Sequence, residues 1–327
     1  MRIAINGMGR IGRLLFRRLL DEAAYEIVAV NDIMDTANLL YLLKYDSLYG
    51  PMQHKITMEN DWFIVGTKKI KALQVAEPSQ MNWKEMNIDI VIECSGKFSN
   101  KVAASKHLVA GAKRVLLSTT GSPDIPLMIY GFNHHRLTEE TTVISPGGCM
   151  TNCATHILYI LNSIGIKAAQ LNILHSYTSR QELVDTAHSQ FRRGRAAAES
   201  MIPVEIDLAQ SLERLLPPLK DKITAMSIRV PVTNGALADI TVQLAEPKSK
   251  QEINHLFKTA AEQEYKGILA YTEDPIVSAD IKSNTNSCII DGTLTAVSGS
   301  MVKIIAWFDN EYGYTSRILD WLSYISN

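Results

Sequence analysis

Ile3-Ala4-Ile5-Asn6-Gly7-Met8-Gly9-Arg10-Ile11-Gly12 opens the chain with an apolar strand, a G-x-G-x-x-G turn and the start of an amphipathic segment whose Ile11, Leu14, Leu15 and Leu19 share one face. Strand, turn and helix in this order are what a dinucleotide-binding fold needs. Gly7 turns the chain tightly, Gly9 lets a pyrophosphate approach the backbone, and Gly12 lets the helix pack on its strand. The unpaired N–H groups at the helix start then face the phosphates. A second strand, Glu26 to Val30, ends at Asn31-Asp32, an acid twenty residues past Gly12. A carboxylate there accepts hydrogen bonds from ribose hydroxyls and repels a 2′-phosphate, so NAD is favoured over NADP.

Outward from this unit, the first half alternates short apolar strands (Ile88–Glu93, Arg114–Ser118, Leu127–Tyr130, Val143–Ser145) with a helical stretch at Ser99 to Ala110. That pattern predicts an α/β, Rossmann-type doubly wound parallel sheet. From Ala168 the strands lengthen and alternate: Ala169–His175, Thr224–Val230, Ala238–Leu244, Gly267–Tyr271 and Val302–Phe308, with a helix at Gln251–Glu264. Such strands belong to a mixed or antiparallel sheet, so an α+β catalytic domain is expected. The expected domains are residues 1–148 and 149–311, with a terminal helix, 312–327, returning to the first.

Composition limits the function classes. A chain of 327 residues suits about two domains, and 46% hydrophobic residues supply a core for each. With 33 basic and 34 acidic residues there is no global field for nucleic acid or membrane. Cys94, Cys149, Cys153 and Cys288 lack the spacing of a disulfide framework or zinc site, which implies reduced thiols and a cytoplasmic protein. No metal is expected. His134-His135 reads as neighbours on an extended segment pointing to opposite faces, which suits no metal pair.

Cys149, in Gly148-Cys149-Met150-Thr151-Asn152-Cys153, stands between a glycine turn and an apolar helical run. The positive end of the helix and its unpaired N–H groups favour thiolate over thiol, which makes a nucleophile. Twenty-six residues on, an alternating strand ends at His175, the candidate base.

These motifs, with Tyr45-Asp46-Ser47, His175-Ser176-Tyr177-Thr178, Ile228-Arg229-Val230-Pro231 and Trp307-x-Asp309-Asn310-Glu311-Tyr312-Gly313-Tyr314, resemble the glyceraldehyde-3-phosphate dehydrogenase family end to end. The resemblance implies a cytoplasmic, homotetrameric enzyme of glycolysis. It implies a thiohemiacetal on Cys149, hydride transfer to NAD, and a thioester released by phosphate or water. His175 would be the base, and the Cys149 N–H would help hold the oxyanion, worth ~3 kcal/mol per donor in comparable sites. Gly7, Gly9, Arg10, Ile11, Gly12, Asp32 and Ser118 would bind the cofactor, Asn310 would hold its carboxamide, and Tyr314 with Ile11 would flank its ring. Thr178 and Arg229 would bind the substrate phosphate, with Arg195 near a second phosphate site. An arginine fork suits a phosphate dianion.

Several positions depart from the family pattern. Gly148-Cys149-Met150 stands where phosphorylating members carry Ser-Cys-Thr, Ile206-Asp207 replaces Thr-Gly, and Arg180 replaces an aspartate. Lost hydroxyls predict weak binding of attacking phosphate. Arg192 to Val204 looks more like the erythrose-4-phosphate dehydrogenase branch, which hydrolyses its thioester, whereas His175 to Thr178 looks more like the glycolytic branch. Two other classes differ further: a semialdehyde dehydrogenase, against which Asp309 to Tyr314 argues, and a NAD-binding regulatory or scaffold protein without turnover.

Overall fold

The computed structural model describes residues 1–326; Asn327, the last residue of the expected terminal helix, lies outside them. One unit holds Met1–Met128, His134–Gly147 and the chain from Ile318 onward; the other holds Ile129–Asn133 and Gly148–Arg317.

In the first unit the elements are β1 (Arg2–Asn6), α1 (Arg10–Leu19), β2 (Glu26–Asn31), α2 (Thr36–Lys44), β3 (Ile56–Glu59), β4 (Trp62–Val65), β5 (Lys68–Leu73), β6 (Ile90–Glu93), α3 (Lys101–Val109), β7 (Arg114–Leu117) and β8 (Val143–Ile144). The sheet order is β3-β4-β5-β2-β1-β6-β7-β8. It is parallel from β5 to β8 and ends in the antiparallel run β3-β4-β5. The chain leaves β1 toward one edge and returns through β6 to the other, so the switch point lies between β1 and β6, where such sheets bind ligands. This is the doubly wound α/β fold that the opening residues specify, with a hairpin edge they do not announce. Leu14, Leu15, Phe16 and Leu19 of α1 are buried, and β6 is buried at all four positions.

Glu93 is the polar exception in that core. Its carboxylate accepts from Asn6 Nδ2, from the Ser95 N–H and hydroxyl, and faces His107 Nε2 at 3.0 Å. The Trp83 indole N–H donates to His107 Nδ1 at 3.0 Å. An indole nitrogen only donates, so the histidine proton sits on Nε2 and points at the carboxylate. Asn31 extends the network: its Nδ2 donates to Asn6 Oδ1 and to the Val75 carbonyl, and its Oδ1 accepts from the Val75 N–H.

The second unit carries α4 (Cys149–Asn162), β9 (Ile166–Ser176), β10 (Ile202–Val204), α5 (Leu208–Leu215), β11 (Ile223–Val230), β12 (Ala236–Leu244), α6 (Lys250–Glu262), β13 (Leu269–Thr272), β14 (Cys288–Asp291), β15 (Ala296–Ser298) and β16 (Met301–Phe308). Its mixed sheet runs β10-β11-β9-β12-β16-β14-β13, with β15 on β16. β9 pairs parallel to β11 and antiparallel to β12, which places His175 beside Arg229 and Ala236. A final helix, α7 (Tyr312–Ser326), follows.

Two local readings change. Leu127–Tyr130 makes one bridge, Leu127 to Ser145, instead of a strand. Past it the chain turns, with the Ile129 N–H taken by Asn133 Oδ1 at 2.6 Å. His134 and His135 lie in a single 3-10 turn, His134–Arg136, rather than on an extended segment.

The glycine turn explains its own sequence. Gly7 has φ +92, and a Cβ on it would lie 2.3 Å from the Ser95 amide nitrogen. A Cβ on Gly12 would lie 2.1 Å from the Gly7 carbonyl oxygen, whereas one on Gly9 would meet nothing within 4 Å. Gly12→Ala is therefore expected to destabilise the protein by about 1–3 kcal/mol through overpacking. Gly9→Ala should leave the melting temperature nearly unchanged while weakening NAD. Thermal denaturation of both variants checks this, and equal loss from both would contradict it.

Candidate active site

The nucleotide end is built at the carboxyl edge of β1. Gly9 caps α1 with no side-chain hydrogen bond, and a Cβ on it would meet nothing within 4 Å, so the space beside the helix start is open. The Gly7 N–H donates to the Asn31 carbonyl at 2.8 Å. Asp32 continues β2 and accepts the Met8 N–H at 2.6 Å through one carboxylate oxygen and the Met34 N–H at 3.0 Å through the other. Arg10 pairs with Asp46, and Ile11 is half-buried in the first turn of α1. Ser118 follows β7, its N–H on the Glu93 carbonyl and its hydroxyl beside the Cys94 thiol. An uncapped helix start over a cradle that a Cβ would fill, with a carboxylate at the neighbouring strand end, fits the phosphates and ribose of a dinucleotide.

The reactive end lies in the second unit. Cys149 is the first residue of α4, capped by Gly148 without a side-chain bond, and its Sγ stands 3.8 Å from His175 Nε2. His175 Nδ1 donates to the Ser176 carbonyl at 2.7 Å. A carbonyl only accepts, so the neutral ring keeps its proton on Nδ1 and turns a lone pair on Nε2 toward the thiol. Phe308 packs edge-on against the ring.

Burial governs the protonation of this pair. It pushes the Cys149 thiol up to about 11, against the pull of Arg229 and of the Met150 and Cys149 N–H groups. Burial, seconded by Arg229, pushes His175 down to about 3. Burial opposes the thiolate that the helix start favours, while Arg229 and the Met150 and Cys149 N–H groups support it.

Asn310 Oδ1 accepts from the Ser176 hydroxyl at 3.2 Å and the Gly235 N–H at 2.8 Å, which leaves its Nδ2 to donate. Asp309 accepts the Glu311 and Tyr312 N–H groups and so caps α7, in whose first turn Tyr314 is buried.

Around Arg229 the structure sorts the arginines differently from the sequence reading. Arg229 is buried in register with His175. Arg195, expected near a second phosphate site, is exposed and paired with Asp185 at 2.9 Å. Arg193 is the buried one, and it faces Arg229 together with Arg180. The signal was in the glycine between them: a Cβ on Gly194 would lie 2.3 Å from the Thr186 carbonyl oxygen, so the chain presses inward there. Thr178 donates its hydroxyl to Gln181 Oε1 at 3.0 Å. Ile206 packs with Ala197, Ile202 and Val204, and offers no polar group. Ser176, Gly235, Phe308 and Gln181 also escaped the sequence reading, since partners that merely orient a reactive group carry no motif.

Fold and site together define a NAD-dependent oxidoreductase that acts on aldehydes. The C-terminal domain model of glyceraldehyde 3-phosphate dehydrogenase matches residues 148–310, and the NAD binding domain model matches residues 1–101. The chain is 42% identical to glyceraldehyde-3-phosphate dehydrogenase 2 of Streptomyces avermitilis, over 100% of this chain and 99% of that protein. It is 39% identical to glyceraldehyde-3-phosphate dehydrogenase 1 of Bacillus subtilis and 39% identical to the Geobacillus stearothermophilus enzyme, in each case over 100% of this chain and 98% of the relative. The chain belongs to the glyceraldehyde-3-phosphate dehydrogenase family.

Alkylation of Cys149 by iodoacetamide should keep rising from pH 7 to 9, because burial holds the thiol protonated and only thiolate reacts. Arg229→Leu removes the cation that draws the thiol down and should slow the reaction at fixed pH. His175→Asn should slow it as well. A rate already level below pH 7, or unchanged in both variants, would contradict the assigned geometry.

Proposed function

We propose that the protein oxidises D-glyceraldehyde 3-phosphate with NAD through Cys149 and His175. The observation that carries this reading is the Sγ to Nε2 approach of 3.8 Å with the proton of His175 fixed on the far nitrogen. Cys149 Sγ adds to the aldehyde carbon while its proton passes to His175 Nε2 and from there to the new oxyanion, giving a thiohemiacetal and returning His175 to its neutral form. The Cys149 N–H at the start of α4 stabilises the developing oxyanion. Loss of hydride from that carbon, with the hydroxyl proton passing to His175, leaves a thioester on Cys149. NAD supplies the hydride acceptor. Gly7, Gly9, Arg10, Ile11, Gly12, Asp32 and Ser118 would hold it, Asn310 Nδ2 would donate to its carboxamide, and Tyr314 would lie against its ring. Thr178 and Arg229 would bind the substrate phosphate, with Arg195 near a second phosphate site.

In this reading residues 1–148 with the terminal helix bind NAD, and residues 149–311 carry the chemistry. We further infer a cytoplasmic homotetramer. Leu183, Val184, Phe191 and Met201 support the oligomer, because they expose an apolar face along one loop, with Phe191 88% exposed. Among the described residues no helix is long and apolar enough to cross a membrane.

A second reading is favoured by Gly148 and Met150, which offer no hydroxyl to an attacking phosphate. Here water releases the acid, and erythrose 4-phosphate is the aldehyde. NADH formation from both aldehydes, with and without phosphate or arsenate, separates the two. Saturation by phosphate with glyceraldehyde 3-phosphate supports the first, and phosphate-independent turnover of erythrose 4-phosphate supports the second. No turnover of either would leave a NAD-binding scaffold.

Cys149→Ser should retain NAD binding and lose oxidation, since an alkoxide is far harder to form than a thiolate near neutral pH. Asp32→Ala should weaken NAD and admit NADP, by removing the carboxylate that opposes a 2′-phosphate. Wild-type use of NADP at the NAD rate would contradict that role for Asp32.

A further inference from the structure

Beside Arg229 the second unit buries hydrogen-bond donors without acceptors. Arg229, Arg193 and Gln181 are 8%, 9% and 7% exposed. Arg229 Nε, Arg193 Nη1 and Gln181 Nε2 are each buried with no hydrogen-bond partner. All three are nitrogens that only donate. Leaving such groups unmatched is costly, and buried guanidinium groups are ordinarily paired.

Local bonds bring these groups to one place. Gln181 Oε1 is taken by the Thr178 N–H and hydroxyl, which commits that oxygen and leaves Nε2 spare. The Arg193 carbonyl accepts the Glu182 N–H, which ties its backbone to the residue after Gln181, and Arg193 Nε donates to Gln190 Oε1. The Arg180 N–H donates to Thr178 Oγ1 at 3.3 Å, which sets an exposed arginine at the rim of the same turn. The ionisable groups acting on Arg229 are the Cys149 thiol, Arg193 and Arg180, with no carboxylate among them.

We propose that Arg180 is a further phosphate-binding residue, which with Gln181 and Arg193 completes a donor-only pocket over Arg229 that selects a phosphate dianion. The pocket deepens the function proposed above and rests on it. Two arginines form the floor, the amide of Gln181 lines one side, and Arg180 closes from the solvent side. Its ligand is either the ester phosphate of the substrate or free inorganic phosphate, which share the same dianionic chemistry.

Arg180→Gln tests this by two readouts. The ratio of kcat/KM for glyceraldehyde 3-phosphate to that for unphosphorylated glyceraldehyde should fall at least about tenfold, the loss of one charge-assisted hydrogen bond. Protection of Cys149 from iodoacetamide by inorganic phosphate should weaken by a similar factor, and Arg180→Lys should restore part of each. A fall in the ratio alone assigns the pocket to the substrate ester; weakened protection alone assigns it to free phosphate. Both readouts unchanged in a variant with wild-type melting temperature would overturn the proposal. Wild-type protein that oxidises neither aldehyde yet is protected by phosphate in an Arg180-dependent way would sink the proposed reaction and keep the pocket.

Discussion

A buried carboxylate, Glu93, is the constraint on which the nucleotide end depends. It sits at the end of β6 and collects donors from β1, from the turn at Ser95 and from α3. A single charge inside a sheet is tolerable only when such donors surround it. The arrangement fixes three strand ends at once, because Asn6 passes the network to Asn31 and Asn31 passes it to Val75. Gly7 must pass within reach of Ser95, and only a residue without a Cβ can do so. The open space above Gly9 is thus held by polar bonds beneath it, and the helix start is presented as a rigid surface.

The reactive end rests on strand register. β9 lies between β11 and β12, so Arg229 and Ala236 flank His175, and Ser176 and Gly235 lie close enough to hold Asn310. A slip of one residue would turn His175 to the other face of the sheet. Cys149 reaches the same place from a different element, the start of α4. The electrostatics there are a contest, in which desolvation keeps both partners neutral while Arg229 and backbone N–H groups lean toward the thiolate.

The residues legible in the sequence were those whose types are forced by geometry. Gly7 and Gly12 could be read because the crowded turn tolerates nothing else there, and Gly9 because the strand and acid around the turn sit at fixed spacing. Alternating strands such as β9 and β16 declared themselves through one buried face. The short strands β3, β4 and β5 did not: β3 and β4 have four residues each, and Lys68, Lys69 and Lys71 make β5 read as polar loop. Arg195 and Arg193 could not be told apart by type, because what separates them is the inward press of the backbone at Gly194. Gln181 and Ser176 matter through one hydrogen bond each, and no periodicity reports that.

The bond from His175 Nδ1 to the Ser176 carbonyl has a consequence for traffic. A ring anchored on that side cannot rotate to hand protons out through its back edge, so every proton it takes up must leave from the nitrogen that received it. Proton flow at this site is a single-door affair: what enters at Nε2 from sulfur must depart at Nε2 toward whatever occupies the substrate's place. The imidazole works as a latch that is reset by the next occupant rather than by bulk water, and the order of arrival and departure at one face sets its state.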